Sequence, residues 1–205
     1  MGFKVVKKTE YKTTKWLGGT TTELLIFPQE AVYSKRNFKW RLSSASVEAE
    51  TSIFTTLPDI DRIIMVLQGE LLLEHKGHHT VKLKPYEQDS FSGQWTTVSY
   101  GKATDFNLMM AEGCKGKLEV ITIDNEENVR LKHMELSEKE ESFITEVFYC
   151  TEGEAELIYG EMDRIKLNKG DLAYMMGKIS EEKAVMELYN ASTEESKLIR
   201  AVISC

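Results

Sequence analysis

The sequence predicts an all-β chain made of two similar β modules in tandem. Three observations predict it. Val, Ile, Thr, Phe and Tyr recur in short runs punctuated by Gly, Asn, Asp and Lys, with only 3 prolines in 205 residues. No stretch carries the long 3.6-residue periodicity of an amphipathic helix. The chain also matches itself at one offset. "VLQGELLLEH" from Val66 lies over "CTEGEAELIY" from Cys150, so that Gly69 falls on Gly153 and Glu70 on Glu154. The same offset of 84 residues, carried forward without a gap, puts Val81 on Ile165, Leu83 on Leu167 and Glu87 on Asp171.

Each element has its own warrant. In "KWLGGTTTELLIFP" (15–28) two adjacent glycines permit a tight turn, and three threonines then favour an extended strand. In "WRLSSAS" (40–46) alternation places Arg41, Ser43 and Ala45 on one face and Trp40, Leu42 and Ser44 on the other. The second face is the more apolar, so periodicity alone turns Arg41 outward. "DRIIMVLQGELLLEH" (61–75) reads as two strands meeting at Gly69. Lys76-Gly77 then makes a two-residue hairpin turn, which would pair His75 with His78. "FSGQWTTVSY" (91–100) offers Gln94 and Trp95 as polar and aromatic wall residues. "TDFNLMM" (104–110) sets Asp105 and Asn107 on one face, with Phe106 and Leu108 on the other.

A polar bridge, "DNEENVRLKHMELSEKEES" (124–142), follows and holds His133. The expected division is residues 1–122 and 123–205. Short helical turns are expected only near 137–142 and 181–188. In the second module Glu146, Tyr149 and Tyr174 are inward candidates. One larger β-sandwich with look-alike hairpins is the alternative to two modules.

The strand-Gly-strand rhythm resembles that of cupin barrels, and closure into barrels would hide the many strand edges. The expected fold is therefore bicupin, two tandem cupin-like β-barrels in one chain. Cupin enzymes usually place two histidines and a glutamate ahead of that glycine. Here the glutamate position is Arg62, and the histidine positions fall on Thr56 and Pro58 or on Thr55 and Leu57. In the second module the glutamate position is Glu146, but Glu140 and Ser142, or Lys139 and Glu141, stand where histidines are needed. Neither set suits a transition metal. His75, His78 and His79 cluster at the hairpin without an evident third ligand. No metal and no cofactor are expected.

Charge and composition narrow the partners. A net charge of −7 and a pI near 5.3 argue against nucleic acid. No apolar run approaches the roughly 18 residues that span a bilayer, and the N-terminus lacks the apolar core of a signal peptide. Cys114, Cys150 and Cys205 are odd in number and widely spaced, without a CxxC. They are expected to be reduced thiols in a cytoplasmic protein.

Four blocks, in order, resemble the HutD/Ves family. They are Trp-x-Gly-Gly-x-Thr-x-Glu at 16–23, Trp-Arg-x-Ser-x-Ala at 40–45, Phe-x-x-x-Pro-x-x-Asp-Arg at 54–62 and Asp-Phe-Asn at 105–107. Each is generic alone, and their combination is specific. The match runs over residues 15–110, while the C-terminal half shows only the cupin rhythm. The resemblance implies a bicupin fold, a link to bacterial histidine utilisation and binding of a pathway intermediate such as formylglutamate. It brings no established catalytic activity. One departure stands out: the family often has Gly-Pro-Phe-Ser before the Pro-x-x-Asp-Arg block, where this chain has Thr51-Ser52-Ile53-Phe54.

Arginine is scarce, 6 residues against 20 lysines, and two of the six lie in these blocks. A guanidinium is a fixed cation whose fork of donors suits a carboxylate. A buried one needs a partner, either internal (Glu23 or Asp105 for Arg62) or a ligand. The leading expectation is a metal-independent binder of a small anionic metabolite. Arg62 and Arg41 would grip it, Ser43, Asn107 and Thr20 orient it, and Trp16, Glu23, Asp61 and Asp105 complete the site. The family match, unlike the periodicity, draws Arg41 inward. Two alternatives stand beside it: a hydrolase or isomerase in which Glu23, Asp61 or Asp105 has a raised pKa, and a structural or interaction protein. A homodimer is compatible with the fold, though no residue proves it.

Overall fold

The computed structural model describes residues 2–131, 143–160, 163–178, 186–190 and 192–205. His133, the helical turn expected at 137–142 and the acidic or histidine-equivalent positions 139–142 lie outside them. So does 181–185 of the second expected turn, and the rest of that turn is a strand, Met186–Tyr189.

In chain order the first half contains β1 (Lys4–Val6), β2 (Lys12–Trp16), β3 (Gly19–Phe27), β4 (Trp40–Val47), β5 (Thr51–Ile53), β6 (Ile60–Gly69), β7 (Leu71–His75), β8 (His79–Leu83), β9 (Gln88–Ser92), β10 (Thr97–Tyr100) and β11 (Ala103–Ala111). The second half contains β12 (Lys115–Ile123), β13 (Asn128–Leu131), β14 (Phe143–Glu152), β15 (Glu154–Tyr159), β16 (Asp163–Asn168), β17 (Leu172–Lys178), β18 (Met186–Tyr189) and β19 (Ser196–Ser204). Among the described residues, helix is confined to single 3-10 turns at Lys8–Glu10 and Tyr33–Lys35. The chain is all-β, and no described helix is long and apolar enough to cross a membrane.

Two compact units form, Tyr11–Cys114 and Met1–Glu10 with Lys115–Cys205. The division thus falls at Cys114 and not after residue 122, because β12 pairs with β19 along its whole length. The first ten residues join the second unit because β1 pairs with β17.

Among the described residues each unit is a pair of antiparallel sheets, not a closed barrel. In the first, a six-stranded sheet of order β2-β3-β4-β11-β6-β9 accompanies a four-stranded sheet, β5-β10-β7-β8. Ile64, Val66, Phe91 and Ala103 of the larger sheet share one core with Leu71, Leu73 and Leu83 of the smaller. In the second unit the sheets run β1-β17-β14-β19-β12 and β13-β18-β15-β16. Phe148, Cys150, Ala173 and Leu198 there pack with Ala155, Leu157, Leu167 and Leu188.

The matched glycines explain the break in hydrogen bonding. Gly69 stands where the chain leaves the six-stranded sheet for its four-stranded partner, with φ of 82°, and Gly153 stands where it leaves the five-stranded sheet for the other four-stranded one, with φ of 66°. A Cβ at Gly69 would lie 2.4 Å from the Lys102 carbonyl oxygen, so a side chain is excluded by space as well as by backbone conformation. The repeat extends to irregularities. The β6–β11 ladder skips Leu67, and the β14–β19 ladder skips Thr151, again 84 residues on.

Three further expectations change. Both faces of β4 are buried from Trp40 to Ser43, so hydrophobic alternation could not decide which way Arg41 points. The hairpin pairs His75 with His79, leaving a three-residue loop, so the cross-strand partner of His75 is not His78. Cys114 and Cys205 are disulfide-bonded, and Cys150 alone is free. Neither cysteine lies in a CxxC, so the sequence around them carries no local signal of disulfide bonding.

Candidate functional site

The larger sheet of the first unit builds the site from one of its faces. Strand alternation and register set Thr14 and Trp16 of β2, Thr21 and Glu23 of β3, Arg41, Ser43 and Ala45 of β4, Asp105, Asn107 and Met109 of β11 and Arg62 of β6 on that face. At one end the face is the aliphatic core around Ile64 and Val66. Toward the other end it lines a cavity of about 580 Å³, within the size range of small-molecule sites. Tyr33 and Phe54, from the segments before β4 and after β5, add aromatic wall.

Met109 is the register partner of both Arg41 and Arg62, so the two arginines flank it across the sheet. Their surroundings differ. Arg41 Nε donates to Glu23 Oε2 at 2.8 Å, its Nη1 donates to Ser43 Oγ at 3.0 Å, and its guanidinium lies 4.4 Å from the centre of the Tyr33 ring. It is an internally satisfied cation. Arg62 is equally buried but has no ion-pair partner within 4 Å among the described residues. It sits over the rings of Phe54 (4.8 Å) and Phe91 (5.1 Å), and its Nε has no hydrogen-bond acceptor. One strand away, Asn107 Oδ1 is buried and has no donor among the described residues.

Burial pushes the Asp105 carboxyl up to about 7, against the attraction of Arg62 and a hydrogen bond from the Ala45 backbone N–H. The same burial draws Arg62 down to about 10, with Asp105 partly opposing it. Arg62 therefore remains charged at neutral pH, while Asp105 sits near its titration point. An unpaired buried cation, an amide oxygen lacking a donor and a carboxyl poised between two states face one space.

Seven of the nine expected site residues line this cavity: Arg62, Arg41, Ser43, Asn107, Trp16, Glu23 and Asp105. Two do not. Asp61 is exposed, because it neighbours Arg62 on β6 and so points to the opposite face. Thr20 is likewise displaced by its neighbour Thr21, which shares the parity of Glu23. Counting back by two from Glu23 would have chosen Thr21. Tyr33 and Lys12 were missed, Tyr33 because a 3-10 turn carries no strand periodicity.

Of the remaining candidates, Gln94 is exposed, and Trp95 stacks on His78 at 3.7 Å outside the cavity lining. Glu146 is buried, but Tyr149 and Tyr174 lie on the opposite face from the core residues Phe148 and Ala173. Among the described residues, the cavity lining contains neither His nor Cys. One group of three metal-capable side chains exists among the described residues, His75, His79 and Asp89, and it lies apart from this lining.

A family model described as HutD matches residues 8–192. The chain belongs to the HutD family. Among solved structures, the conserved protein of unknown function PA5104 from Pseudomonas aeruginosa PAO1 is similar at a TM-score of 0.80 and 20% identity, with 99% of each chain covered. HutD from Pseudomonas fluorescens SBW25, in a formate condition, is similar at a TM-score of 0.67 and 21% identity, with 98% of each chain covered. Oxalate decarboxylase OxdC of Bacillus subtilis shares the fold at a TM-score of 0.66 and 8% identity, over 96% of this chain and 76% of that one. At such identities the likeness is one of fold, and it makes the architecture of this HutD-family chain cupin-like.

Proposed function

We propose that the Tyr11–Cys114 unit binds a small carboxylate metabolite, of the formylglutamate kind, with Arg62 as the anion anchor and no metal in the grip. On this reading the chain is a bicupin whose two barrels are flattened into sheet pairs, and it modulates histidine or amino-acid catabolism in the cytoplasm. The single observation that carries the reading is Arg62, a buried cation that faces a cavity and has no ion pair among the described residues. Such a charge is costly unless something neutralises it. A carboxylate that enters supplies the charge and the acceptor for Nε, and an N–H on the same molecule would satisfy Asn107 Oδ1. Formate, which appears in the conditions of the P. fluorescens structure, is the smallest such anion.

One observation favours a second reading. A carboxyl near pKa 7 beside an anion site has the chemistry of a general acid or base. The protein would then be a hydrolase or isomerase of a small anionic substrate, with Asp105 as the proton carrier.

Thermal unfolding in EDTA against formate, formylglutamate, glutamate and urocanate tests the first reading. A ligand at about 100 times its dissociation constant adds roughly 2.7 kcal/mol of stability. One acid is expected to stand out, and its effect should vanish in Arg62→Met. A flat panel would overturn the binding reading. Mass spectrometry of the recovered ligand separates the two functions, since a binder returns it unchanged.

A further inference from the structure

We propose that His75, His79 and Asp89 form a binding site for one divalent transition-metal ion, separate from the arginine cavity. Its ligands are Nε2 of each histidine and Oδ2 of Asp89, with the fourth position open to water. The residues come from three strands. The hairpin register sets His75 of β7 directly across from His79 of β8, and β9 brings Asp89 to both.

The geometry is close to a coordination sphere. Asp89 Oδ2 lies 2.9 Å from His75 Nε2 and 3.1 Å from His79 Nε2, and all three ligand atoms fall within 4.8 Å of one another. Metal–ligand bonds of about 2.0–2.1 Å in a tetrahedron put ligand atoms roughly 3.3 Å apart. Small shifts therefore admit an ion.

The support around the first ligand is also of the right kind. His75 Nδ1 lies 2.8 Å from Thr97 Oγ1, and both residues are fully buried. With the ion on Nε2, the neutral imidazole carries its proton on Nδ1 and donates it to that hydroxyl, which orients the ring. Phe91, at 4.4 Å, and Trp95, edge-on at 5.7 Å, wedge the ring in place. His79 is 40% exposed, which leaves an entry side and room for water. Two imidazoles and one carboxylate suit Zn²⁺, Co²⁺, Ni²⁺ or Cu²⁺ better than Mg²⁺ or Ca²⁺. Phe91 also lies against Arg62, so a filled metal site would fix one wall residue of the arginine without touching the anion.

The test uses the full chain without an affinity tag, stripped by EDTA and titrated with Zn²⁺ and Co²⁺ by calorimetry and visible absorption. One equivalent is expected, with the intense visible band of tetrahedral Co²⁺. Quenching by Cu²⁺ should be visible in the fluorescence of Trp95, which lies 5.9 Å from the His79 ring. His79→Ala and Asp89→Asn should each weaken binding by at least about tenfold, while His78→Ala leaves it unchanged. His79 is exposed enough for its substitution to spare the fold. Absence of stoichiometric binding, or affinity unchanged in both variants, would overturn the site. The carboxylate panel in EDTA reads the arginine cavity independently, so failure of one proposal is not failure of the other.

Discussion

The two units place different chemistry at equivalent points of the same ladder. Seven residues before its glycine the first unit has Arg62 and the second has Glu146. Asn107 is the register partner of Ile64, and Arg200 is the partner of Phe148, the residue 84 positions on from Ile64. On the next strand Asn107 pairs with Ser43, and Arg200 pairs with Glu119. The second unit therefore carries a cation between two carboxylates, where the first carries a lone cation beside an amide and a hydroxyl. Arg200 donates Nε to Glu146 Oε1 at 2.6 Å and contacts the same oxygen through Nη2, while Nη1 reaches Glu119 Oε2 at 3.2 Å. That triad is closed on itself. Arg62 is open, and the difference teaches which of two similar units has a reason to take an anion from outside.

Breaking the closed triad should have the largest effect. Glu146→Ala leaves Arg200 buried with only the half-exposed Glu119 and should cost about 3–5 kcal/mol, read by denaturant unfolding. Arg62→Met removes a charge that has no ion-pair partner among the described residues, so the ligand-free protein should lose little or no stability. Carboxylate affinity should instead fall by roughly 2–5 kcal/mol in calorimetry. If Arg62→Met destabilised the free protein as much as Glu146→Ala, the contrast between the units would be lost.

Asp105 sharpens the contrast through pH. Its folded pKa, about 7, lies above the usual carboxylate value. Its contribution is then complete below about pH 4, where both states are protonated, and is lost as pH rises through 7. Between those limits the native state binds more protons than the unfolded one, so this group lowers stability by roughly 2–4 kcal/mol across the window. Asp105→Asn should flatten that part of the stability–pH curve, and an unchanged slope would count against a buried, poised carboxyl. The smallest effect is expected of Ser43→Ala, about 1 kcal/mol, since Arg41 keeps Glu23 when the hydroxyl is removed.

Much of this was readable beforehand. The 84-residue offset located the second unit's strands through β16 and both sheet-crossing glycines, because a positive φ leaves a glycine in the sequence. Alternation from Glu23, Arg41, Asp105 and Arg62 located most of one sheet face, because the side-chain period of a strand is two. Family blocks drew Arg41 inward where hydrophobicity pointed it out. Other features had no local signature. Tyr33 and Phe54 reach the cavity from irregular segments, and Cys114 and Cys205 are disulfide-bonded with no motif around them.

The chain's composition and repeats by themselves determined an all-β protein of two related units. Only the tertiary structure decided that Glu23 satisfies Arg41 and not Arg62, and that His79, not His78, joins His75 with Asp89. The physical reason is that pairing depends on register and bulges across strands distant in sequence. A shift of one residue moves a charge to the other face, and no local pattern records which partner then meets it.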